Sequence, residues 1–167
     1  MGEYALELKN ITKTYQDGEQ LATVLKDVSL KVKKGEFIAI VGPSGSGKST
    51  FLSIAGALLA PTSGEVIIGD KVVPKKQKAW TKIRQQQIGF IFQSHQLIPY
   101  LNVEDQLELI RRIGKNKSSE SEKYAAELLL DLGLSDRLKA YPNKLSGGEK
   151  QRVAIARAFM NHPDIIL

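Results

Sequence analysis

An apolar run that breaks into glycine is the strongest constraint on how this chain folds. Phe37–Val41, FIAIV, contains no polar residue, as expected of a strand buried on both faces. GPSGSGKST follows at once, and a helical stretch continues to about Ala57. Gly42-Pro43-Ser44-Gly45-Ser46-Gly47-Lys48-Ser49 fits the spacing G-x-x-x-x-G-K-[ST] without a mismatch. Glycines let the backbone curl so that several N–H groups point at one anion. The helix that follows adds its positive end. Lys48 can reach the outer phosphates of a nucleotide, and the Ser49 hydroxyl can bind Mg²⁺. A glycine-rich turn explains the glycines alone; a buried strand before it and a helix after it point to nucleotide phosphate. The contact set is Gly42, Ser44, Gly45, Ser46, Gly47, Lys48, Ser49 and Thr50. Guanine-specific GTPases usually carry N-K-x-D. Asn143-Lys144-Leu145-Ser146 and Asn116-Lys117-Ser118-Ser119 both lack the Asp, which argues against guanine.

The flanking sequence sets this unit in an α/β chain. Tyr4, Leu6 and Leu8 alternate with Ala5, Glu7 and Lys9, a strand with one wet face. Gln16–Gln20, QDGEQ, is a turn centred on Asp-Gly. Val28, Leu30 and Val32 alternate with polar residues in a second half-exposed strand. EVIIGDKVV reads as a hairpin turning at Gly69-Asp70, KKQKAWTKIRQQQ as a polar helix, and Ile88–Phe92, IGFIF, as another buried strand. From Asn102 to Met160 the pattern is helical. Asn102 caps VEDQLELIRRI, Ser119 and Glu122 have capping-box spacing, and Gly133 is a natural stop. A last helix starts near Gly147 with Val153, Ala156 and Met160 on one face.

A chain of 167 residues is long enough for one domain with a core. With no cysteine it has neither disulfides nor thiolate metal sites. No apolar run approaches the roughly 20 residues of a membrane span. MGEYALELKN lacks the apolar core of a secretory signal. The net charge of +6 suits anionic partners, but the lysines are scattered, as on a solvated surface.

LSGGEKQRVAIARA, Leu145–Ala158, is the most informative stretch. Ser146 and Glu149 have the S-x-x-E spacing of a capping box. That accounts for Ser and Glu but not for Gly147-Gly148. Adjacent glycines carry an entropy penalty and make sense where something approaches a helix N-terminus closely, an anion above all.

Taken together, these motifs resemble the ATP-binding cassette (ABC) transporter ATPases. LSGGE is similar to the family signature, usually LSGGQ, and the KQRVAIARA tail is typical. The phosphate loop precedes it by about a hundred residues, in the family order. IFQSHQLIPYLNVEDQLEL resembles the branch serving lipoprotein release, macrolide export and antimicrobial-peptide export or resistance. The resemblance implies a P-loop NTPase core with an N-terminal antiparallel β subdomain and a helical subdomain. It divides the chain into 1–93 (β subdomain and phosphate-loop core), 94–160 (helical subdomain and signature helix) and 164–167 (an incipient strand). It implies ATP and Mg²⁺ as ligands, with Tyr15 stacking on adenine. Lys48 and Gln93 would serve catalysis, with Ser49 and Gln93 toward Mg²⁺ or the attacking water. Ser146, Gly147, Gly148 and Glu149 would close over the ATP of an opposing subunit in a head-to-tail dimer. A membrane permease would be the partner, and the location the cytoplasmic face of the membrane. His95 and His162 read as ordinary surface residues. A nucleic-acid partner is not expected, since scattered basic charge is a weak signal for one.

The family continues past the signature helix with a strand ending in Asp and Glu. Here DIIL begins such a strand, and Asp164 stands before its apolar residues rather than after them. The expectation is therefore a chain truncated before those carboxylates, with core strands missing. Positioning by Lys48 and Ser49 would survive; activation of water would not, and losing a general base costs about 10²–10⁴-fold. Exposed core surface and a bare sheet edge predict self-association, including strand exchange with a second chain. The alternative is a hydrolysis-deficient nucleotide-binding fragment without transport activity.

Overall fold

The computed structural model describes residues 3–18, 20–74, 77–115 and 118–167, without the side chains of 17 and 77. Asn116 and Lys117, part of the case against guanine, lie outside the described residues, as do Lys75 and Lys76 of the predicted polar helix and Glu19 of the first turn. The chain divides into two compact units, 1–84 and 85–167.

The first unit is built on a four-stranded antiparallel sheet. Strands β1 (Tyr4–Asp17), β2 (Gln20–Lys33), β3 (Ser63–Ile68) and β4 (Lys71–Val72) lie in the order β2-β1-β3-β4. Alternation fixes the register: Leu8 sits opposite Leu30 on one side and Val66 on the other. Leu6, Leu8 and Ile11 are buried, while Val28, Leu30 and Val32 are half-buried as their spacing predicts. The predicted hairpin closes at Gly69 and Asp70, both at positive φ (54° and 66°), as a type I′ turn requires. The first turn differs from expectation by one residue. Asp17 still pairs with Gln20, so the loop begins at Gly18, φ 60°. Helix α1 (Lys48–Ala55) buries Phe51, Ile54 and Ala55. Helix α2 spans Gln77–Gln87, its last three residues falling in the second unit.

The expected strand at Phe37–Val41 is not formed. Those residues belong to no ladder, and Phe37 and Val41 are 94% and 86% exposed. An apolar run becomes a strand only when a neighbour accepts its backbone hydrogen bonds, and no described strand lies beside this one.

In the second unit, β5 (Ile88–Gly89) pairs in parallel with β6 (Ile165–Ile166). The predicted strand at Ile88–Phe92 is thus cut to two residues. Leu167 N–H donates to the Gly89 carbonyl at 3.0 Å and Ile91 N–H to that of Leu167 at 2.8 Å, and beyond them Phe92 is 40% exposed. The DIIL strand is present as expected. Helices α3 (Val103–Ile113), α4 (Ser119–Asp131) and α5 (Gly147–Phe159) pack around Val103, Leu107, Leu129, Leu134, Leu145, Val153, Ala156 and Met160. Asn102 caps α3 as predicted, its side chain accepting from Asp105 N–H at 2.9 Å. The cap of α4 is Ser118, not Ser119. Its hydroxyl accepts from Ser121 N–H at 3.2 Å, and Ser119 is already helical. Two adjacent serines offer the same spacing shifted by one residue, and extended backbone at Ser118 (φ −72°, ψ 153°) decides between them. Gly133 ends α4 at φ 65°; its N–H bonds Leu130, and Leu134 N–H bonds Leu129, a Schellman closure.

Candidate functional site: two glycine loops at helix starts

The phosphate loop belongs to the first unit. Its backbone runs through three glycines in or near the left-handed half of conformational space, Gly42 (φ 156°), Gly45 (79°) and Gly47 (89°). The Lys48 amine folds back over it, donating to the carbonyls of Gly42 (2.8 Å) and Pro43 (2.6 Å) and approaching Ser46 Oγ at 3.5 Å. Ser46 N–H closes the turn onto Pro43 at 3.4 Å. Helix α1 then starts with no side-chain cap and no acidic residue in its first turn. Its first N–H groups and its positive end therefore lack the carboxylate or hydroxyl that usually satisfies them. The crest is open, since a Cβ at Gly45 would meet nothing within 4 Å. Ser44, Ser46 and Ser49 are exposed and Thr50 is half-buried. An uncapped helix start, a lysine ammonium over the loop and an open crest together fit a polyanion such as a nucleoside triphosphate.

Tyr15 lies on β1 in the same unit, 40% exposed, with the Lys13 ammonium 5.0 Å above its ring. Its ring already takes part in one cation–π contact.

Gln93 and the LSGGE stretch belong to the second unit. Gln93 is exposed, just beyond the short β5–β6 ladder. Ser146, Gly147 and Gly148 are exposed, and the two glycines are helical rather than left-handed. Both halves of the capping box are made: Glu149 N–H donates to Ser146 Oγ at 3.2 Å, and Ser146 N–H to Glu149 Oε2 at 2.7 Å. The other carboxylate oxygen accepts from Arg137 Nε at 2.8 Å. The Ser146 N–H bond, with Arg137 beside it, holds the Glu149 carboxyl down to about 2. Glu149 is therefore ionised and committed on both oxygens. Room remains in front of the glycines: nothing lies within 4 Å of a Cβ at Gly147, and only the Arg152 guanidinium, at 3.6 Å, at Gly148.

Three residues near these loops escape sequence reading. Arg157 of α5 donates to the carbonyls of Gln96 (2.7 Å) and His95 (2.9 Å), tying the signature helix to the loop that follows Gln93; burial pushes its guanidinium down from its ordinary value. Gln106, buried on α3, grips the same loop further on, through Ile98 N–H and the Ile98 and Leu101 carbonyls. Arg137 neutralises Glu149. The one sequence cue is that Gln106 and Arg157 are polar residues on the apolar faces of their helices. His162 is exposed and stacks on Tyr124, ring centroids 4.0 Å apart. His95 is half-buried. Among the described residues, no group of three or more His, Cys, Asp or Glu side chains is placed to hold a metal ion, and no helix is long and apolar enough to cross a membrane.

The profile of a family described as ABC transporter matches residues 25–167. A protein of Staphylococcus haemolyticus named hemin import ATP-binding protein HrtA is 51% identical over 163 residues, covering 98% of this chain and 74% of the relative. The protein of the same name from Staphylococcus aureus is 49% identical over the same shares. Among solved structures, the ATP-binding cassette MJ0796, a dimer in a post-hydrolysis state bound to ADP and Pi, is 46% identical with a TM-score of 0.86. That match covers 96% of this chain and 72% of the other.

Proposed function

This chain belongs to the ABC transporter family as an ATP-binding subunit, and we propose how its residues divide the work. Lys48 exchanges its two loop carbonyls for the β- and γ-phosphates of ATP, and the N–H groups from Gly45 to Thr50 take the remaining phosphate oxygens. Ser49 would hold Mg²⁺ through its hydroxyl, as suits a metal that takes few protein ligands. Tyr15 stacks on adenine. Gln93 orients water or Mg²⁺, and Arg157 and Gln106 hold the loop that carries it. Ser146, Gly147 and Gly148 meet the γ-phosphate bound by a second copy in a head-to-tail dimer. Glu149 contributes by capping α5 rather than by touching ATP, because both its oxygens are engaged. The division into 1–93, 94–160 and 164–167 follows these roles. A membrane permease completes the transporter and holds this subunit at the inner face of the membrane, and the names of the Staphylococcus relatives point to hemin as cargo.

One observation carries the nucleotide assignment: the uncapped start of α1 behind an open loop, with the Lys48 amine resting on carbonyls it can leave. Calorimetric titration with Mg-ATP tests it. Lys48→Ala removes a charge-assisted contact worth about 2 kcal/mol, so affinity should fall by roughly thirtyfold. Unchanged affinity would refute the assignment. With the permease reconstituted, ATP turnover that rises on adding hemin supports hemin as cargo, and an unchanged rate removes it.

A further inference from the structure

The basic excess of this chain has one address. Between Asp70 and Glu104 there is no acidic residue, while Lys71, Lys75, Lys76, Lys78, Lys82 and Arg84 fall in that interval. Of the 24 basic residues, the other 18 equal the 18 acidic ones, so the whole +6 resides in this stretch. Residue by residue the lysines look scattered; measured against the acids, they are concentrated.

The structure turns three of these six charges outward. Trp80, on the inner face of α2, is buried and donates its indole N–H to the Pro74 carbonyl. Arg84 donates to the Ala57 carbonyl at 2.6 Å. These ties hold one side of α2 inward. Lys78 and Lys82, one turn apart on the other side, are exposed, as is Lys71 on β4. All three lie within the first unit. Lys75 and Lys76 are outside the described residues and enter only through the sequence. Three lysines elsewhere in the unit are paired with acids: Lys9 and Lys31 with Glu7, and Lys33 with Glu3.

We propose that this face of α2 and β4 binds an anionic phospholipid surface. A headgroup layer asks only for clustered positive charge, which this face supplies. Single-stranded nucleic acid would also want aromatic platforms for its bases. Trp80, the sole aromatic residue between Lys71 and Gly89, is buried. The described side chains of α2 expose no large apolar residue, and Val72 of β4, 54% exposed, is a single apolar side chain beside the lysines, so the contact rests on headgroups. This lipid contact goes beyond the nucleotide reading and depends on neither ATP nor permease.

The test is co-sedimentation of the full chain with vesicles, without nucleotide. One set is phosphatidylcholine alone; the other is an equal mixture of phosphatidylcholine and phosphatidylglycerol. The chain should pellet only with the mixture, and less as salt rises. Each lysine near such a surface is worth about fivefold in binding, so the triple variant Lys71→Gln, Lys78→Gln, Lys82→Gln should lose about a hundredfold. Lys9→Gln, Lys31→Gln and Lys33→Gln together change net charge equally and should lose far less. Equal losses in the two triple variants would overturn the proposal, as would equal pelleting with both vesicle types. Preferential capture by duplex DNA, added as competitor at the same salt, would overturn it too and assign the face to nucleic acid. Neither result bears on ATP binding, and loss of ATP binding in Lys48→Ala leaves the vesicle result standing.

Discussion

Two loops in this molecule carry glycine just before or at a helix start, and glycine does opposite things in them. In the phosphate loop the backbone needs it: Gly45 and Gly47 sit at φ 79° and 89°, where a side chain is strained. In the signature loop Gly147 and Gly148 have ordinary helical backbone, and what they supply is empty space. The helix ends differ in the same way. Helix α1 begins uncapped and without acid, so its donors are left for a ligand. Helix α5 begins with a complete capping box and a carboxylate held by Arg137. Glycine spacing alone therefore cannot say whether an anion is gripped by the backbone or merely admitted to a surface. Dihedral angles and caps make the distinction.

Substitutions can break this contrast or sharpen it. The largest effect should come at Gly47. There a Cβ would face both unfavourable φ and a close approach, 3.0 Å from Leu25 Cδ2 and 3.1 Å from the Val24 carbonyl. Gly47→Ala should lower unfolding stability by about 3 kcal/mol, summing left-handed strain and overpacking. Gly45→Ala shares the strain without the crowding and should lose only about 1–2 kcal/mol in the same urea titration. Equal losses at the two positions would mean that packing against β2 contributes nothing.

The cap of α5 comes next. Ser146→Ala should lower stability by about 1 kcal/mol. Its partner Glu149 adds a pH signature of defined sign. The carboxyl titrates near 4.5 in the unfolded chain and at about 2 when folded, so its contribution is complete above 4.5 and lost as pH falls toward 2. Glu149→Gln should flatten the acid limb of the stability profile across that window. An unchanged limb would show that Arg137 and the Ser146 N–H do not hold the carboxylate in solution. The smallest effect has the opposite sign. Gly148→Ala should raise stability by about 0.5–1 kcal/mol, as Ala replaces Gly in a helix with open space around it. Under the proposed reading it should at the same time weaken ATP-dependent dimerisation, measured by sedimentation.

Much of this was legible because local chemistry decides it. The Asn102 cap, the Gly133 stop, the Gly69-Asp70 turn and the Ser146–Glu149 box each join groups within five residues of one another. Their residue types leave few other conformations open. The Ser118–Ser119 ambiguity marks the limit of that reasoning, where two local solutions differ by one residue. Phe37–Val41 marks a different limit. Its composition is that of a buried strand, yet strand formation depends on a neighbour that the run itself does not contain.

The sequence by itself determined the phosphate-loop pattern, the signature and the caps of α3 and α5, and with the two motifs the family. Only the tertiary structure decided that Phe37–Val41 lacks a ladder while Ile165–Ile166 finds one beside Ile88. It also decided that the free oxygen of Glu149 goes to Arg137, and that Arg157 reaches carbonyls 61 and 62 residues away. The physical reason is range. A cap or turn is closed by atoms a few residues apart, which composition constrains directly. A ladder or a long side chain's partner is chosen from the whole chain, and packing makes that choice.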